Sequence, residues 1–561
     1  MTHLRQAKLG AVALILGLLC QAPTSRARAE AETGADRAMA PAPATRPVVV
    51  ARQDRLAPVG PAREAGRVIP GAVAVDARSL RVALNIAWTL VAAFLVVFLK
   101  SGFALLETGL IRAKNVAHTM AMNLGIYAVG MLGFWAVGFA LMFGGHGAFP
   151  TFDGPDLLDA MGSVDVLGRT WDLVGLRGFF LAGFGGEASL LAAFLFHAAM
   201  LDTAATIPTG AMAERWRFSA FLAYAGVAST VIYPVFGCWV WGKGWLADLG
   251  LNFGIGNGVV DYAGSSVVHM TGGLMALAGA WMLGPRIGKY NKNGTANAIP
   301  GHNIPMVALG TLILAFGWFG LNAGRGFDAT DLRIASIATC TLLATGAGCL
   351  TSLLTMWTVF GKPDPTVGCN GLLAGAVAIS ASCAYVNPIG AVVIGAVAGV
   401  LVIGSILFVD KYLKVDDPVG AISVHGVCGA FGCLGVGLFA TGEYGAGTNG
   451  VASAPIGFFH GGGFNQLLAQ AVGVATNALW VLPASLLTFA LIGRLIGNRA
   501  SARAEIEGLD VPEMGVLGYV DEDTYAVQTA GQDFLATFGP GVPAKGAPNP
   551  TRAPKRPGEK R

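Results

Sequence analysis

Two histidines in apolar stretches of the chain have the side chains best suited to proton chemistry. His269 lies in the segment DYAGSSVVHMTGG, and His425 lies in DPVGAISVHGVCG. Imidazole titrates at about pH 6.5, so it can accept, donate or relay a proton under physiological conditions. An ionisable group in hydrocarbon is costly and usually lines a pathway or pairs with another polar group. The pair therefore predicts a polar site for a small neutral or protonated guest.

The two histidine segments repeat each other without a gap. The identical pairs are Asp261/Asp417, Gly264/Gly420, Val268/Val424, His269/His425 and Gly273/Gly429. Two unrelated packing histidines remain the competing interpretation, but equivalent positions in a repeat weaken it. Most metal sites need at least three ligands, and no third ligand shares this pattern. The sequence therefore predicts neither a metal nor another cofactor.

The remaining sequence predicts the helices that would position these residues. Of the 561 residues, 12% are charged and 54% are hydrophobic, whereas soluble domains are about 25% charged. The apolar residues form blocks of about 20, the length that crosses about 30 Å of hydrocarbon. This composition excludes a soluble globule. A net charge of +4 without a basic run excludes nucleic-acid binding.

Eleven apolar blocks predict an all-α polytopic membrane protein. The blocks are 82–105, 119–144, 187–212, 218–241, 263–284, 303–324, 332–360, 370–387, 389–409, 421–441 and 466–497. The two histidine segments are five spans apart and so run in opposite directions, which indicates a five-plus-five inverted repeat. Each histidine follows its aspartate by eight residues, about 12 Å of helix. Both imidazoles are therefore expected near the bilayer midplane.

The chain ends and the loop charges predict the orientation. Residues 1–29 are interpreted as a signal peptide, with an extra membrane helix as the alternative. Residues 30–80 are interpreted as a disordered Ala/Pro/Arg-rich extracytoplasmic arm, 81–498 as the eleven-helix domain and 499–561 as a cytoplasmic tail, disordered from about 539. Lys and Arg favour one alternate set of loops, which predicts an extracytoplasmic N-terminus in a cell (inner) membrane.

Several ordered motifs extend the histidine pattern along the chain. They are GLIRAKN (109–115), AERWRF (213–218), VWGKGWL (240–246), HNIPM (302–306), GWFGLNAG (317–324) and VDDPVGAISVHGVCG (415–429). With these motifs, residues 82–520 resemble the ammonium transporter (Amt/Mep/Rh) family. The resemblance implies a bilayer-embedded homotrimer with one twin-histidine pore per subunit and, in many members, a P-II signal protein as cytoplasmic partner. It also implies a role in nitrogen uptake. The sequence offers no nucleophile with a base and an orienting group, no metal cluster and no phosphate loop, which argues against an enzyme.

The resemblance also assigns roles to pore residues. It implies that ammonium is captured at an outer vestibule and loses its proton before ammonia crosses between His269 and His425. Asp261 would organise the outer site, and Trp241 and Trp318 would help to form the vestibule. Phe196 is also counted among the predicted substrate-binding and pore residues.

Three positions depart from the usual family pattern. Met200 and Leu321 replace the two pore-gate phenylalanines, and Arg325 replaces a serine that commonly faces the captured ion. A permanent cation there would repel ammonium unless it pairs with an acid such as Asp328 or points away. An ammonium sensor or other non-conducting relative is therefore the alternative function, and a conductor of another small molecule is a third.

Two acidic residues in the spans have structural interpretations. Asp202 lies about 200° around the helix from Met200, so it is expected to face another helix or subunit as a hydrogen-bonding or ion-pair residue. A role for Asp202 in the transport pathway is the alternative. Glu107, near the end of the first span, is interpreted as a helix-end or loop anchor rather than a proton carrier.

Overall fold

The computed structural model describes residues 76–166 and 168–519, together with two short strands before them. These strands, β1 (Arg63–Glu64) and β2 (Arg67–Val68), pair antiparallel. The predicted signal peptide, most of the predicted arm and the end of the predicted tail lie outside the described residues.

Apolar helices make up most of the described chain and are named α1–α11 in order. They are Ala77–Leu110, Ala113–Phe143, Ala188–Met212, Phe218–Trp241, Ser265–Leu283, Ile304–Gly326, Arg333–Phe360, Pro365–Ser380, Pro388–Leu413, Ile422–Phe439 and Asn465–Leu495. Within the described residues, all but α8 are long and apolar enough to cross a membrane. The all-α membrane class is therefore confirmed.

Helix α8 is displaced from its predicted span of 370–387. It begins at Pro365, where the Asp364 side chain accepts a hydrogen bond from the Thr366 N–H, and it ends at Ser380. Proline at the first helical position and an aspartate cap are strong start signals. At 16 residues the helix is about 24 Å long, shorter than the hydrocarbon thickness. The count of eleven membrane crossings therefore stays a prediction.

The connection between α2 and α3 contains a hairpin that the sequence interpretation did not include. Its strands, β3 (Met161–Val166) and β4 (Arg169–Gly175), pair antiparallel. The Trp245 N–H donates to the Asp172 carbonyl of β4, and the Trp239 indole donates to the Leu173 carbonyl. The hairpin is therefore attached to the end of α4.

The repeated aspartates cap α5 and α10. The Asp261 carboxylate accepts hydrogen bonds from the backbone N–H groups of Gly264, Ser266 and Val267 at 2.8–2.9 Å. The sequence thus repeats an N-terminal cap, which satisfies donors that a helix start leaves free.

Asp417 makes the corresponding cap on α10. Its carboxylate accepts from the N–H groups of Gly420 and Ile422 at 3.0 and 2.7 Å. Gly264 and Gly420 have φ values of 108° and 82°, in the left-handed region that favours glycine. These conformations explain why the repeat retains both residues.

The first turns of α5 and α10 are π-helical and contain the histidines. The π segments are Ser265–Met270 and Ile422–Val427. A π turn widens the helix locally and is common at functional sites. Each histidine is therefore presented from a wide turn rather than from a regular α-helix.

The repeated glycines allow α5 and α10 to cross closely. A Cβ at Gly273 would collide with the backbone of Gly426, and a Cβ at Gly429 would lie 2.5 Å from the Ser265 carbonyl oxygen and 2.9 Å from the Met270 nitrogen. Residue numbers rise on one helix as they fall on the other, so the crossing is antiparallel. Small residues permit such backbone approach between membrane helices.

A buried network of charges joins the loops at one end of the bundle. Glu214 pairs with Arg112 and with Arg286, whose guanidinium also makes bonds of 2.9 and 3.0 Å to Asp416. The Arg215 guanidinium donates to the Asp416 carbonyl at 2.7 Å. The motifs GLIRAKN, AERWRF and VDDPVG each contribute one or more of these residues.

The segment after α11 packs on the same end, which is called the tail end below. Its short helix is α12 (Ala502–Glu507). The Glu505 carboxylate accepts from the Ile287 N–H at 2.6 Å, and the Asp510 carboxylate accepts from the His118 N–H at 2.9 Å. The opposite end, which contains Asp261, is called the Asp261 end.

Candidate functional site

The two histidines predicted from the repeat lie in contact. Nδ1 of His269 is 3.3 Å from Nδ1 of His425, and the ring centroids are 5.3 Å apart at an interplanar angle of 27°. Both side chains are buried, at 0% and 4% exposure. With neutral rings, one Nδ1–H donates to the other Nδ1, which leaves one Nε2 as an acceptor and the other as a donor.

Aromatic side chains enclose the histidine pair. The Trp318 ring stacks on His269 with centroids 4.9 Å apart, and the Phe103 ring lies 6.0 Å from His425. The Trp318 indole donates to the Ser380 hydroxyl at 3.0 Å, which fixes the plane of the tryptophan. His269 Nε2 has no hydrogen-bond partner within the described chain. It is therefore available to a small guest.

A cavity of about 310 Å³ opens at the Asp261 end, and it is called the vestibule. It is lined by Trp241, Asp261, Tyr262, Arg325 and Phe327, among other residues. The Trp241 indole donates to the Asp261 carbonyl at 2.6 Å. Trp318 does not line this cavity, although the resemblance implied that it would. It lies seven residues before Arg325 on α6, about 10 Å deeper.

Arg325 lies inside the vestibule. Its guanidinium carbon is 4.6 Å from the Trp241 ring centroid and 5.3 Å from that of Phe327. Arg325 makes no ion pair with Asp328, whose carboxylate instead accepts from Thr330. The Arg325 Nε has no acceptor within the described chain. A tethered cation therefore occupies the aromatic face on which a cationic guest would be expected to stack.

Two further histidines near the vestibule were missed from the sequence. His197 is fully buried between Phe143, Trp241 and Phe327, at centroid distances of 4.3 to 5.6 Å, and neither ring nitrogen has a partner within the described chain. His146 lines the vestibule. Burial lowers the pKa of His146, and the charges of Lys243 and Arg325 lower it further. His146 is therefore neutral at physiological pH.

A signal for His197 was present in the sequence. An ionisable residue within an apolar span marks a functional position by default, and His197 directly follows Phe196. The Phe196 ring lies edge-on to Phe327 at 5.1 Å. His197 and Phe196 thus belong to the aromatic group that surrounds the inner part of the vestibule.

Met200 and Leu321 are fully buried, and neither lines the vestibule. Leu321 lies one turn beyond Trp318 on α6, between the depth of His269 and the depth of Arg325. Met200 lies three residues beyond His197 on α3, on the same helix face. Met200 and Leu321 therefore place no aromatic ring between the vestibule and the histidines.

A second, much smaller cavity lies on the tail-end side of the pair. It has a volume of about 10 Å³ and is lined by His425, Phe103, Glu107, Asn370 and six apolar residues. That volume accommodates about one molecule of the size of water. The histidine pair is therefore flanked by an open vestibule on one side and a single-molecule cavity on the other.

Asp202 forms an ion pair with Lys100 of α1. Its carboxylate lies 3.0 Å from Lys100 Nζ, and Lys100 also donates to the Thr206 hydroxyl. Asp202 thus faces a neighbouring helix, in agreement with its position on α3 relative to Met200. It lines neither the vestibule nor the small cavity.

The arrangement can select a guest by its protons. A buried, neutral histidine pair offers a hydrogen-bond donor and an acceptor but no fixed charge, so it favours a small polar molecule over a bare ion. The described residues contain no group of three or more His, Cys, Asp or Glu side chains placed to hold a metal ion.

Comparison of the sequence with known proteins identifies similar transporters. The Ammonium Transporter Family profile matches residues 87–519. The chain is 42% identical over 441 residues to ammonium transporter Amt2 of Archaeoglobus fulgidus, covering 78% of this chain and 88% of that protein. It is 36% identical to ammonium transporter Amt1 of Haloferax mediterranei, covering 79% and 81% of the two chains.

Solved structures with the same fold include one described as a sensor Amt protein and one of Mep2. A protein described as a sensor Amt protein superposes with a TM-score of 0.67 at 33% identity, covering 78% of this chain and 99% of that one. Mep2 of Candida albicans superposes with a TM-score of 0.65 at 25% identity, covering 80% and 95%.

Proposed function

The chain belongs to the ammonium transporter family, and on that premise we propose that it captures ammonium in the vestibule and conducts ammonia between His269 and His425. The observation that carries the proposal is the Nδ1–Nδ1 contact of 3.3 Å between two buried imidazoles. Ammonium loses a proton before it reaches this contact, and ammonia then passes with or without that proton. The substrate class follows from the family.

The energetic reason for deprotonation is the dry segment between the two cavities. Carrying an unpaired charge into a medium of low dielectric costs on the order of tens of kcal/mol in the Born limit. Cation–π attraction at the face of a tryptophan recovers only about 0.5–2 kcal/mol. Loss of the proton removes most of the cost. Ammonia can then accept a hydrogen bond from one imidazole and donate to the other.

The same argument accounts for discrimination against potassium. Potassium carries the charge of ammonium but has no proton to release, so it retains the full cost of dehydration in the dry segment. Selectivity therefore depends on the chemistry of the histidine pair rather than on the width of the vestibule.

Membrane placement and assembly complete the proposal. The Asp261 end faces the outside and the tail end faces the cytoplasm, because the excess of loop Lys and Arg lies at the tail end. The N-terminus is then extracytoplasmic, after cleavage of a signal peptide. Three copies assemble, each with its own pore, and ammonium uptake supplies nitrogen to the cell.

A P-II signal protein is the proposed cytoplasmic partner, with the tail end as its docking face. The described tail makes hydrogen bonds to Lys114 at the start of α2 and to Ile287 in the loop after α5, which provides a route from a bound partner to the pore. Pro512 and Met514 depart from the commoner family sequence at this segment. Co-purification of a P-II protein with the full chain, and with a variant that lacks residues 499–561, tests whether the tail end binds this partner.

Arg325 favours a second candidate, an ammonium sensor that does not conduct. Its guanidinium lies over the Trp241 ring at 4.6 Å, where a captured ammonium ion would otherwise stack. One similar structure is described as a sensor Amt protein. For transport, ammonium has to displace this side chain or bind beside it.

Electrophysiology on supported membranes separates the two candidates. Purified protein in liposomes is exposed to a step of ammonium, with an equal step of potassium as control. Transport predicts a current with ammonium and none with potassium. Ammonium binding detected by tryptophan fluorescence in the absence of any current or uptake would contradict transport and support the sensor.

A further inference from the structure

Glu107 is a buried carboxylate beside the small cavity on the tail-end side of the histidine pair. It is 2% exposed, and it lines that cavity together with His425. The Thr209 hydroxyl lies 2.7 and 2.8 Å from its two oxygens, and the Asn123 amide donates to one of them at 2.9 Å. A loop anchor, the interpretation from the sequence, would not need to line the path beyond the histidines.

The charges around Glu107 do not balance. Lys100 lies on the same helix two turns away, but it pairs with Asp202 at 3.0 Å. Glu107 itself makes no ion pair within the described chain. Lys100, Asp202 and Glu107 therefore sum to one negative charge when both acids are ionised. A buried carboxylate without a cation has to hold a proton or acquire a cation from elsewhere.

From this imbalance we propose that Glu107 forms a second ammonium site, on the tail-end side of the histidines, and this rests on the proposed transport function. Ammonia that has passed His425 takes the proton of the neutral Glu107 carboxyl. The O–H bond breaks, an N–H bond forms, and the resulting ammonium ion remains paired with the carboxylate. When ammonium leaves, a hydronium ion from the aqueous phase at the tail end returns the proton to Glu107.

The size and the donors of the site fit this ligand. The cavity of about 10 Å³ has room for one molecule of about the size of water, such as ammonia. Asn123 donates one hydrogen bond to the carboxylate. The single O–H of Thr209, which also lies 2.6 Å from the Thr206 carbonyl oxygen, supplies at most one more, whereas two carboxylate oxygens can accept about four hydrogen bonds in total. The carboxylate can therefore accept further hydrogen bonds from the N–H groups of ammonium.

Glu107→Gln tests the site with little change of shape. The Asn123 Oδ1 has no partner within the described chain, so its amide can turn and accept from the new glutamine. The matched control is Glu443→Gln, the same change at an exposed loop residue. Correct assembly of each variant is checked by size-exclusion chromatography.

Two measurements report on ammonium binding at Glu107. Infrared difference spectra of the reconstituted protein, with and without ammonium, should show a carboxyl band replaced by a carboxylate band in the wild type and in Glu443→Gln, and no such change in Glu107→Gln. Currents from ammonium added at the tail end should need about tenfold more ammonium in Glu107→Gln, since the variant loses the hydrogen bonds between ammonium and a charged carboxylate. When ammonium is added at the Asp261 end, the concentration that half-saturates the current should differ less than about twofold between Glu107→Gln and the wild type.

Separate outcomes distinguish this proposal from the transport proposal. A wild-type infrared change without any current would contradict transport and leave the Glu107 site supported. The site would be overturned if Glu107→Gln still showed the carboxyl-to-carboxylate change of the wild type and kept the wild-type half-saturating ammonium concentration at both ends. If Glu107→Gln does not assemble, Glu107→Asp replaces it: a shifted carboxyl band assigns the signal to this residue, and an unshifted band overturns the assignment.

Discussion

Among single residues, His269 and His425 differ from other buried histidines in having each other as partners. His269 and His425 share an Nδ1–Nδ1 contact, whereas His118 and His197 have no partner for either ring nitrogen within the described chain. A shared hydrogen bond fixes both ring planes, and it also leaves one donor and one acceptor for a guest. In the proposed mechanism, this pairing supplies the groups that contact ammonia.

Arg325 sets the charge of the vestibule, and removing it should improve capture of ammonium. A unit charge at about 6 Å contributes on the order of 1–3 kcal/mol near a protein surface. Arg325→Ser should therefore lower the half-saturating ammonium concentration of the transport current about tenfold. Arg325→Lys, which keeps the charge, is the control and should stay close to the wild type. Equal affinities in all three proteins would show that the guanidinium does not oppose the bound ion.

The repeat and the family motifs located most of the residues at the site, including Trp241 and Arg325, which line the vestibule, but not the contacts that their side chains make. The ungapped repeat singled out Asp261, His269 and their counterparts, each of which has an equivalent structural position. The stacking of Arg325 on Trp241 could not be predicted, because it depends on a side-chain direction at the end of a helix. The cavity shared by Glu107 and His425 joins residues from distant helices, which spacing along one helix cannot reveal.

At the scale of elements, the crossing of α5 and α10 positions the histidines. Gly273 lies against the backbone of Gly426, next to His425, so the approach of the two helices determines the distance between the imidazoles. Aspartate caps and π-helical first turns then define the direction in which each ring projects. The repeat predicted that both aspartates precede their histidines by eight residues, but neither the caps nor the π turns, which depend on a specific tertiary fit.

Replacing Gly273 with alanine should disrupt this crossing. The new Cβ would overlap the Gly426 backbone, which cannot move as a flexible side chain can, and overpacking typically costs about 1–3 kcal/mol. Gly273→Ala should therefore lower the melting temperature in detergent and reduce the ammonium current. Gly404→Ala, also in a membrane helix but with no atom within 4 Å of its new Cβ, is the matched control. Similar melting temperatures for the two variants would argue against a close crossing.

At the scale of the whole molecule, the tail-end network ties separate parts of the chain together. Glu214, Arg286 and Asp416 come from three different loops, and Glu505 of the tail helix pairs with Arg499 beside them. Burial raises the pKa of Asp416, but hydrogen bonds from Arg286 and the charges of Arg215 and Arg286 outweigh burial and lower it to about 2. Asp416 is therefore ionised and paired throughout the physiological range.

This network predicts a dependence of stability on pH. Because the pKa of Asp416 is lower in the folded protein than its ordinary value of 3.8, its contribution is fully present above about pH 4 and is lost as the pH falls through about 2. The shift corresponds to about 2 kcal/mol. Asp416→Asn should lower the melting temperature at pH 7, and the difference from the wild type should narrow between pH 4 and pH 2. A constant difference over that range would contradict the assignment.

The all-α fold was predictable from the apolar blocks, because helix length and bilayer thickness constrain each other. The hairpin of β3 and β4 was not, because short strands in a polar connection have no comparable constraint. The start of α8 could have been placed from Asp364 and Pro365, which are local signals of a helix N-terminus.

In the proposed mechanism, the paired imidazoles of His269 and His425 select ammonium by its proton, and a comparison of currents with ammonium and potassium tests this selection. Currents are recorded on supported membranes for the wild type, His269→Ala and His425→Ala, with steps of ammonium and of potassium. The account predicts an ammonium current without a potassium current in the wild type, and a loss of that discrimination or of the ammonium current in each variant. An ammonium current of unchanged size and selectivity in both variants would contradict it.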